Sequence, residues 1–196
     1  MTTDVYAAER EKAREYLRAR GTLVPAPQIR ERVGAAFDAF EALAGSVSAE
    51  LAARRALPGE WTIHEVVDHL LESERGGLDE LRCLLAGRRP PGEAIPAGLQ
   101  SKDPLSRPWP WLLRELGRVH RDILETLDGV APDFETEARA PLIMVVNVRD
   151  AGGGTMPLHW VEDLDWKAYT IVFRLHALDH AKQIRKVLAA AGVRDR

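Results

Sequence analysis

Two histidines near the C-terminus, His176 and His180, have the spacing of a metal-binding pair. Four residues are just over one turn of an α-helix, so the two imidazoles project from one helix face about 40° apart. Gln183 lies close to the same meridian, and Tyr169 and Ile184 share that side of the helix. The pair therefore lies on the stripe that should face the protein interior.

A histidine pair by itself does not define a metal site. Histidines at this spacing also occur at core edges, where carbonyls and carboxylates satisfy their nitrogens, and the pair alone favours that interpretation. Zinc-like ions usually take at least three protein ligands. A metal site therefore needs a third ligand from the rest of the six histidines, which are residues 64, 69, 120, 159, 176 and 180.

A second histidine-bearing segment has the pattern of a strongly amphipathic helix. Thr62 followed three residues later by Glu65 is a capping box, and His69 lies beside the apolar stripe that follows. His64 diverges from His69 by about 140°, so the two do not form the H-E-x-x-H zinc motif. Small residues share the side of His69, where a cleft could open: Thr62, Ser73 and Gly76.

The two segments together resemble the DinB/YfiT-like superfamily. That superfamily often shows Trp-Ser/Thr-x-x-Glu, two aliphatic residues, a variable residue and His-Leu on its second helix, which residues 61–70 match. Its last helix ends in His-x-x-x-His-x-x-Gln-Ile, which residues 176–184 match. The motifs occur in the expected order at a suitable separation, and the resemblance covers residues 27–192.

The resemblance implies both a fold and a metal site. The fold is an all-α, up-down-down-up four-helix bundle. The site is a divalent metal held by one histidine of the second helix and two of the last, which by position are His69, His176 and His180. With both motifs present, we predict this site. Three imidazoles leave coordination positions open and suit Zn²⁺, Ni²⁺ or Fe²⁺ without selecting one of them.

Four neighbours of these histidines are candidates for supporting roles. Glu65 and Asp179 could orient imidazoles, with ordinary capping or surface roles as the alternative. Tyr169 and Gln183 share the face of the histidine pair and could hydrogen-bond substrate or solvent, with bundle packing as the favoured alternative. No spacing supports a Ser-His-Asp or Cys-His arrangement, and the sequence identifies no general base.

Periodicity predicts one bundle domain, residues 27–192, after an N-terminal extension, residues 1–26. The extension contains a charged helix at 4–20 that Gly21 ends. Residues 88–107 are rich in Pro and Gly and form a long crossover, as parallel neighbouring helices require. The core helices are expected at about 27–55, 62–87, 109–127 and from 166 onward.

An aliphatic, β-branched stretch interrupts the helical pattern before the last helix. Residues 140–149 and 155–161 flank a glycine-rich turn and predict a β-hairpin or two irregular strands. Such an insertion could form a lid over the cleft that His159 and Trp160 face, although a flap packed on the bundle is the favoured alternative. His120, beside the stripe of the third helix, is expected to be a satisfied bundle histidine and not a ligand.

Composition limits the partners and the location. The net charge of −3 gives no broad basic surface for nucleic acid. No apolar run is long enough to cross a membrane, and the N-terminus lacks a signal-peptide layout. A single cysteine, Cys83, is consistent with a reducing cytoplasm. Cys83 lies about 21 Å along the helix from His69, which is too far for a ligand, so a buried, inert thiol is expected.

Two classes of function agree with these residues. The first is a metal-dependent enzyme, and the resemblance implies S-transfer of a low-molecular-weight thiol such as bacillithiol or mycothiol to a small electrophile, with hydrolysis as the alternative. The second is a non-catalytic protein that binds metal or a small ligand, such as a stress-response module. We favour the transferase. We also expect a homodimer, from the extra N-terminal helix and from Trp109 and Trp111, which should be exposed.

Overall fold

The computed structural model describes residues 6–150 and 152–193. These residues form a mainly helical fold with one two-stranded sheet. Within these residues a π-helical turn, Arg18–Thr22, follows the first helix, and a 3₁₀ turn, Pro104–Ser106, precedes the fifth. The elements in chain order are α1 (Ala7–Leu17), α2 (Ala26–Gly45), α3 (Ala49–Ala53), α4 (Ile63–Leu85), α5 (Trp109–Asp128), β1 (Ala140–Arg149), β2 (Thr155–Leu164) and α6 (Trp166–Ala190).

Helices α2, α4, α5 and α6 pack around one apolar core. Each contacts two of the others, in the ring order α2–α6–α4–α5. Helices α4 and α5 run parallel, because His64 lies near Trp109 while Glu74 contacts His120 further along both helices. The 23-residue crossover between α4 and α5, residues 86–108, makes that direction possible. The largest fully buried side chains of the core include Phe37, Phe40, Leu70, Leu112, Ile123 and Trp166.

The first core helix is shorter than its periodicity predicts. Helix α2 ends at Gly45, and the separate helix α3 begins after Ser48, whose hydroxyl accepts a hydrogen bond from the Leu51 N–H. The Ser46 hydroxyl donates to the Leu43 carbonyl. These serine side chains compete with helical hydrogen bonding, so the continuous helix expected at 27–55 is wrong beyond residue 45. The other core helices begin and end within two residues of their expected bounds.

The N-terminal extension docks on the start of α6. Residues 1–5, including the first two of the helix expected at 4–20, lie outside the described part. A Cβ on Gly21 would be 2.8 Å from the Ala168 Cα and 2.9 Å from the Lys167 carbonyl oxygen. The Thr22 hydroxyl donates to Asp165, the N-cap of α6, at 2.6 Å. Gly21 therefore allows close backbone approach and does not end a helix by itself.

The predicted β-hairpin is confirmed, with β2 three residues longer than expected. It packs against α1, since Arg14 forms an ion pair with Glu162 and the Arg10 guanidinium lies 5.8 Å from the Trp160 ring centre. His159 is exposed. The structure therefore favours a flap packed on the protein over a lid, and it is the crossover that lies against the histidine-bearing face of α4, as shown below.

The expected exposure of Trp109 is wrong. Its side chain is buried, and its indole N–H donates to the Val47 carbonyl at 2.9 Å. Trp111 is half-buried, with the Arg107 guanidinium 5.3 Å from its ring centre. Since α1 also packs within the chain, both features that suggested a dimer have internal partners, and the homodimer stays a prediction. Within residues 6–150 and 152–193, none of the helices has the length and apolar character of a membrane span.

Replacing Gly21 with alanine should destabilise the fold by about 1–3 kcal/mol, because the added methyl group would overlap the backbone of α6, which cannot move aside cheaply. Gly45→Ala is the matched control, since a Cβ there meets nothing within 4 Å. It should be neutral or slightly stabilising. Urea unfolding of both variants measures the difference, and equal stabilities would contradict the close approach.

Candidate metal centre

Helices α4 and α6 bring His69, His176 and His180 together. One nitrogen from each ring lies within 4.8 Å of the other two. Helix α4 begins at Thr62 with the expected capping box, and α6 begins at Asp165, whose carboxylate accepts hydrogen bonds from the first backbone N–H groups. These caps fix where each helix starts and therefore which residues face each other across the pair. The three histidines expected from two distant motifs form one cluster.

Each histidine binds a protein oxygen through Nδ1, so the Nε2 atoms remain available. A carbonyl or carboxylate oxygen can only accept, so each Nδ1 carries the proton. In the neutral ring Nε2 then carries a lone pair, which is the form that binds a metal. The Nδ1 contacts are His69 with the Leu99 carbonyl at 2.7 Å, His176 with Glu74 at 3.2 Å, and His180 with the Gln183 side-chain oxygen at 2.8 Å.

The Nε2 atoms of His69 and His176 are 3.0 Å apart. With both rings neutral and both Nδ1 atoms protonated, two lone pairs face each other at that distance, which is repulsive unless a proton or a metal ion lies between them. Tetrahedral zinc with Zn–N bonds of 2.0–2.1 Å places its nitrogen ligands about 3.4 Å apart. The donor set therefore fits a divalent metal ion with modest adjustment.

Burial keeps two of the three rings unprotonated. It is the main cause that lowers the pKa of His69 to about 4 and that of His180 to about 3, with the neighbouring His176 acting in the same direction. The Trp61 ring contributes to this shielding, since its centre is 5.0 Å from that of His69 and 6.3 Å from that of His180. The His176 side chain is 24% exposed. Protons would therefore compete little with a metal ion for His69 and His180, and the His176 ring is partly exposed to solvent.

A buried charge network supports His176. Glu74 is 1% exposed and uses one carboxylate oxygen for His176 and the other for the His120 Nε2 at 2.8 Å. The His120 Nδ1 is 2.6 Å from Glu41, and its ring stacks on Phe37. Burial would lower the pKa of His120, but the two carboxylates raise it to about 9. Burial would raise the pKa of Glu74, but His120 and His176 lower it to about 2. His120 is thus a satisfied bundle histidine, as expected.

Both carboxylates that were expected to orient imidazoles have other partners. Glu65 accepts from the backbone N–H of Thr62 in the capping box and forms an ion pair with Arg55. Asp179 forms an exposed ion pair with Lys182. The structure brings neither carboxylate to an imidazole nitrogen.

Gln183 and Tyr169 also have defined partners. The Gln183 side-chain oxygen is the acceptor for His180, so this residue orients a predicted ligand and its oxygen is not free for substrate. The Tyr169 hydroxyl donates to Glu80 at 2.6 Å, and burial followed by that carboxylate raises the pKa of Tyr169. Tyr169 packs edge-to-face on Phe173, which agrees with the bundle-packing alternative.

Sequence reasoning missed two partners of the histidines. Glu74 lies on the apolar stripe of α4, four residues after Leu70 and four before Leu78, and an acid at such a position signals a buried partner. Leu99 contributes only a backbone carbonyl from an irregular segment, which no side-chain pattern reveals. Cys83 is half-buried and is not among the clustered groups in the described part of the chain.

A sequence model of the DinB superfamily matches residues 33–161, which is most of the chain, and the chain belongs to this superfamily. The matched region contains His69 and ends before α6. Among solved structures, YfiT from Bacillus subtilis is similar over 86% of this chain and 89% of its own, with a TM-score of 0.61 and 14% identity. YfiT is described as "a probable metal-dependent hydrolase with an unusual four-helix bundle topology". This likeness confirms the four-helix-bundle fold. No curated protein matches the sequence.

Replacing any one of His69, His176 and His180 with alanine should abolish tight metal binding, because two imidazoles rarely hold a divalent ion. Untagged wild-type protein should contain about one ion per chain by elemental analysis. His159→Ala, on the exposed face of β2, should retain it. Helicity should persist in all four variants, because the core is apolar. Full metal content in the three ligand variants would show that the ion binds elsewhere.

The free energy of unfolding should fall as pH rises from about 6.5 to 9, measured by urea denaturation with excess chelator. The folded-state pKa of His120 is about 9, above the unfolded value of 6.5, so its stabilisation is complete below 6.5 and lost through 9. The loss should be on the order of 3 kcal/mol. His69 and His180 titrate well below this window. In His120→Asn the slope should disappear; an unchanged slope would refute the assignment.

Proposed function

We propose that this protein is a metal-dependent S-transferase that joins a low-molecular-weight thiol, of the bacillithiol or mycothiol type, to a small electrophile. The observation that carries the proposal is that one ring nitrogen from each of His69, His176 and His180 lies within 4.8 Å of the other two, while all three Nδ1 atoms have oxygen partners. These residues would hold Zn²⁺, Ni²⁺ or Fe²⁺. Such an ion, when bound, would lower the pKa of a thiol and favour its thiolate at neutral pH.

The ligand set favours an anionic partner. Three neutral imidazoles cancel none of the charge of a divalent cation. The buried charges nearby have partners of opposite sign, because Glu74 pairs with His120 and Asp68 pairs with Arg107. The site would therefore attract a thiolate strongly in its largely buried setting.

The engaged carboxylates favour a nucleophile that is already ionised. Both oxygens of Glu74 have partners, and so do both oxygens of Asp68, which contact Ser101. Glu65 serves the helix cap. None of these acids is placed to take a proton from an attacking group. Attack by a thiolate needs no such base, whereas attack by water usually does.

The surroundings leave one side of the cluster for substrate. Trp61 shields His69 and His180, and the crossover covers His69 through Leu99. The His176 side chain is 24% exposed. A small electrophile would approach from this side, and the shielding would limit competing water.

The order of the core helices is also part of the proposal. We propose the up-down-down-up order that the resemblance implies. Helices α4 and α5 run parallel, and α6 runs antiparallel to α4, because Tyr169 contacts Glu80 while His176, further along α6, contacts the earlier Glu74.

A hydrolase is the second candidate, because YfiT, which shares the fold, is described as one. The same cationic site would stabilise the oxyanion that develops during hydrolysis. A protein that binds metal or a small ligand without turnover is the remaining alternative.

Metal-loaded protein should conjugate monochlorobimane with at least one of four thiols: bacillithiol, mycothiol, coenzyme A or glutathione. The rate should exceed that of His176→Ala by about 100-fold or more, since the ligand is removed from the site itself. His159→Ala should keep the wild-type rate. Fluorescence of the conjugate gives the readout.

If the wild-type protein is no faster than His176→Ala with any of the four thiols, the proposed transferase activity is wrong. Ester substrates assayed without thiol then distinguish the alternatives. Turnover that depends on His176 would indicate the hydrolase, and tight metal retention without any turnover would indicate the binding protein.

A further inference from the structure

The crossover follows the histidine-bearing face of α4 in the opposite direction. The side chain of Ile95 covers Gly76, so the cleft expected beside His69 is filled at that residue. Further along, residues 99–101 reach the first half of α4. The contacts in chain order are Ile95 with Gly76, the Leu99 carbonyl with His69, the Gln100 side chain with the Glu65 carbonyl, and Ser101 with Asp68.

Two hydrogen bonds between Asp68 and Ser101 link the two segments. Asp68 is completely buried. Its two oxygens accept from the Ser101 N–H and hydroxyl, each at 2.8 Å, and Arg107 adds a longer contact of 3.4 Å. A buried carboxylate is costly unless donors surround it, and these three donors all come from the crossover or its end. The pair Asp68–Ser101 is called the clasp below.

The clasp lies beside the hydrogen bond that orients His69. Asp68 precedes His69 on α4, and Ser101 follows Leu99 by two residues on the crossover. The Leu99 carbonyl is the acceptor for the His69 Nδ1, at 2.7 Å. A backbone carbonyl has no side chain of its own to fix its direction, so its aim depends on what holds the neighbouring residues.

We propose that Asp68 and Ser101 are positioning residues for His69. They fix residues 99–101 so that the Leu99 carbonyl holds the proton on Nδ1 and leaves Nε2 free to bind a metal. The ligand role of His69 rests on the proposed function, whereas the position of its proton does not. The crossover is then a structural part of the site and not only a connection between helices.

The first test uses ¹⁵N NMR of the imidazoles in metal-free protein at neutral pH. Wild-type His69 should show the Nδ1–H tautomer. Ser101→Ala removes one donor of the clasp and should shift His69 toward a mixture with the Nε2–H tautomer, and Asp68→Asn should do the same. Ser106→Ala is the matched control, since its hydroxyl contacts only the nearby Asp103 carbonyl. Ser101→Thr keeps the hydroxyl and should restore the wild-type tautomer.

The second test measures the dissociation constant for Zn²⁺ by chelator competition. Ser101→Ala and Asp68→Asn should weaken binding about tenfold, while Ser106→Ala and Ser101→Thr should bind like wild type. A folded Ser101→Ala variant with the wild-type tautomer and affinity would overturn the proposal. If wild-type protein itself fails to bind zinc, nickel or iron, the proposed function fails, and the tautomer measurement alone then decides the role of the clasp.

Discussion

Three hydrogen bonds determine the arrangement of the candidate site, because each one keeps the proton of an imidazole on Nδ1. Each of the three imidazoles between α4 and α6 donates its Nδ1–H to a protein oxygen, and this brings the Nε2 atoms of His69 and His176 to face each other. When both rings are neutral with their protons on Nδ1, the Nε2 atoms of His69 and His176, 3.0 Å apart, repel each other unless a cation lies between them. The surrounding contacts would therefore hold these three histidines ready for the metal ion that we propose.

The three acceptors differ in kind and in what holds them. His180 is paired within its own helix by Gln183, so helix geometry alone fixes that contact. His176 depends on a charged carboxylate, and the protonated His120 lets that charge remain buried. His69 depends on a backbone carbonyl from the crossover. The site thus draws on local helical spacing, on a charge pair in the core and on a loop, and only the first is visible in a short stretch of sequence.

That difference explains which parts of the site could be predicted. Periodicity and the capping box placed α4 and α6 and the faces of their histidines, because these signals act within a few residues. Glu65 and Asp179 are close to the histidines along the chain, but the helix cap that the sequence predicts requires the Glu65 carboxylate. Glu74 and Leu99 act through tertiary contacts. The break after α2 depended on serine hydroxyls that compete with the helix, which apolar spacing does not report.

His69 and His176 are 107 positions apart in the sequence, yet their Nε2 atoms are 3.0 Å apart. An ion bound by both residues would be a reversible cross-link between the two ends of a long loop. In chain-entropy terms, closing a loop of about 100 residues restricts the unfolded state by as much as 4–5 kcal/mol. The same ion that would serve the chemistry would therefore also make the resistance of the bundle to unfolding depend on metal supply.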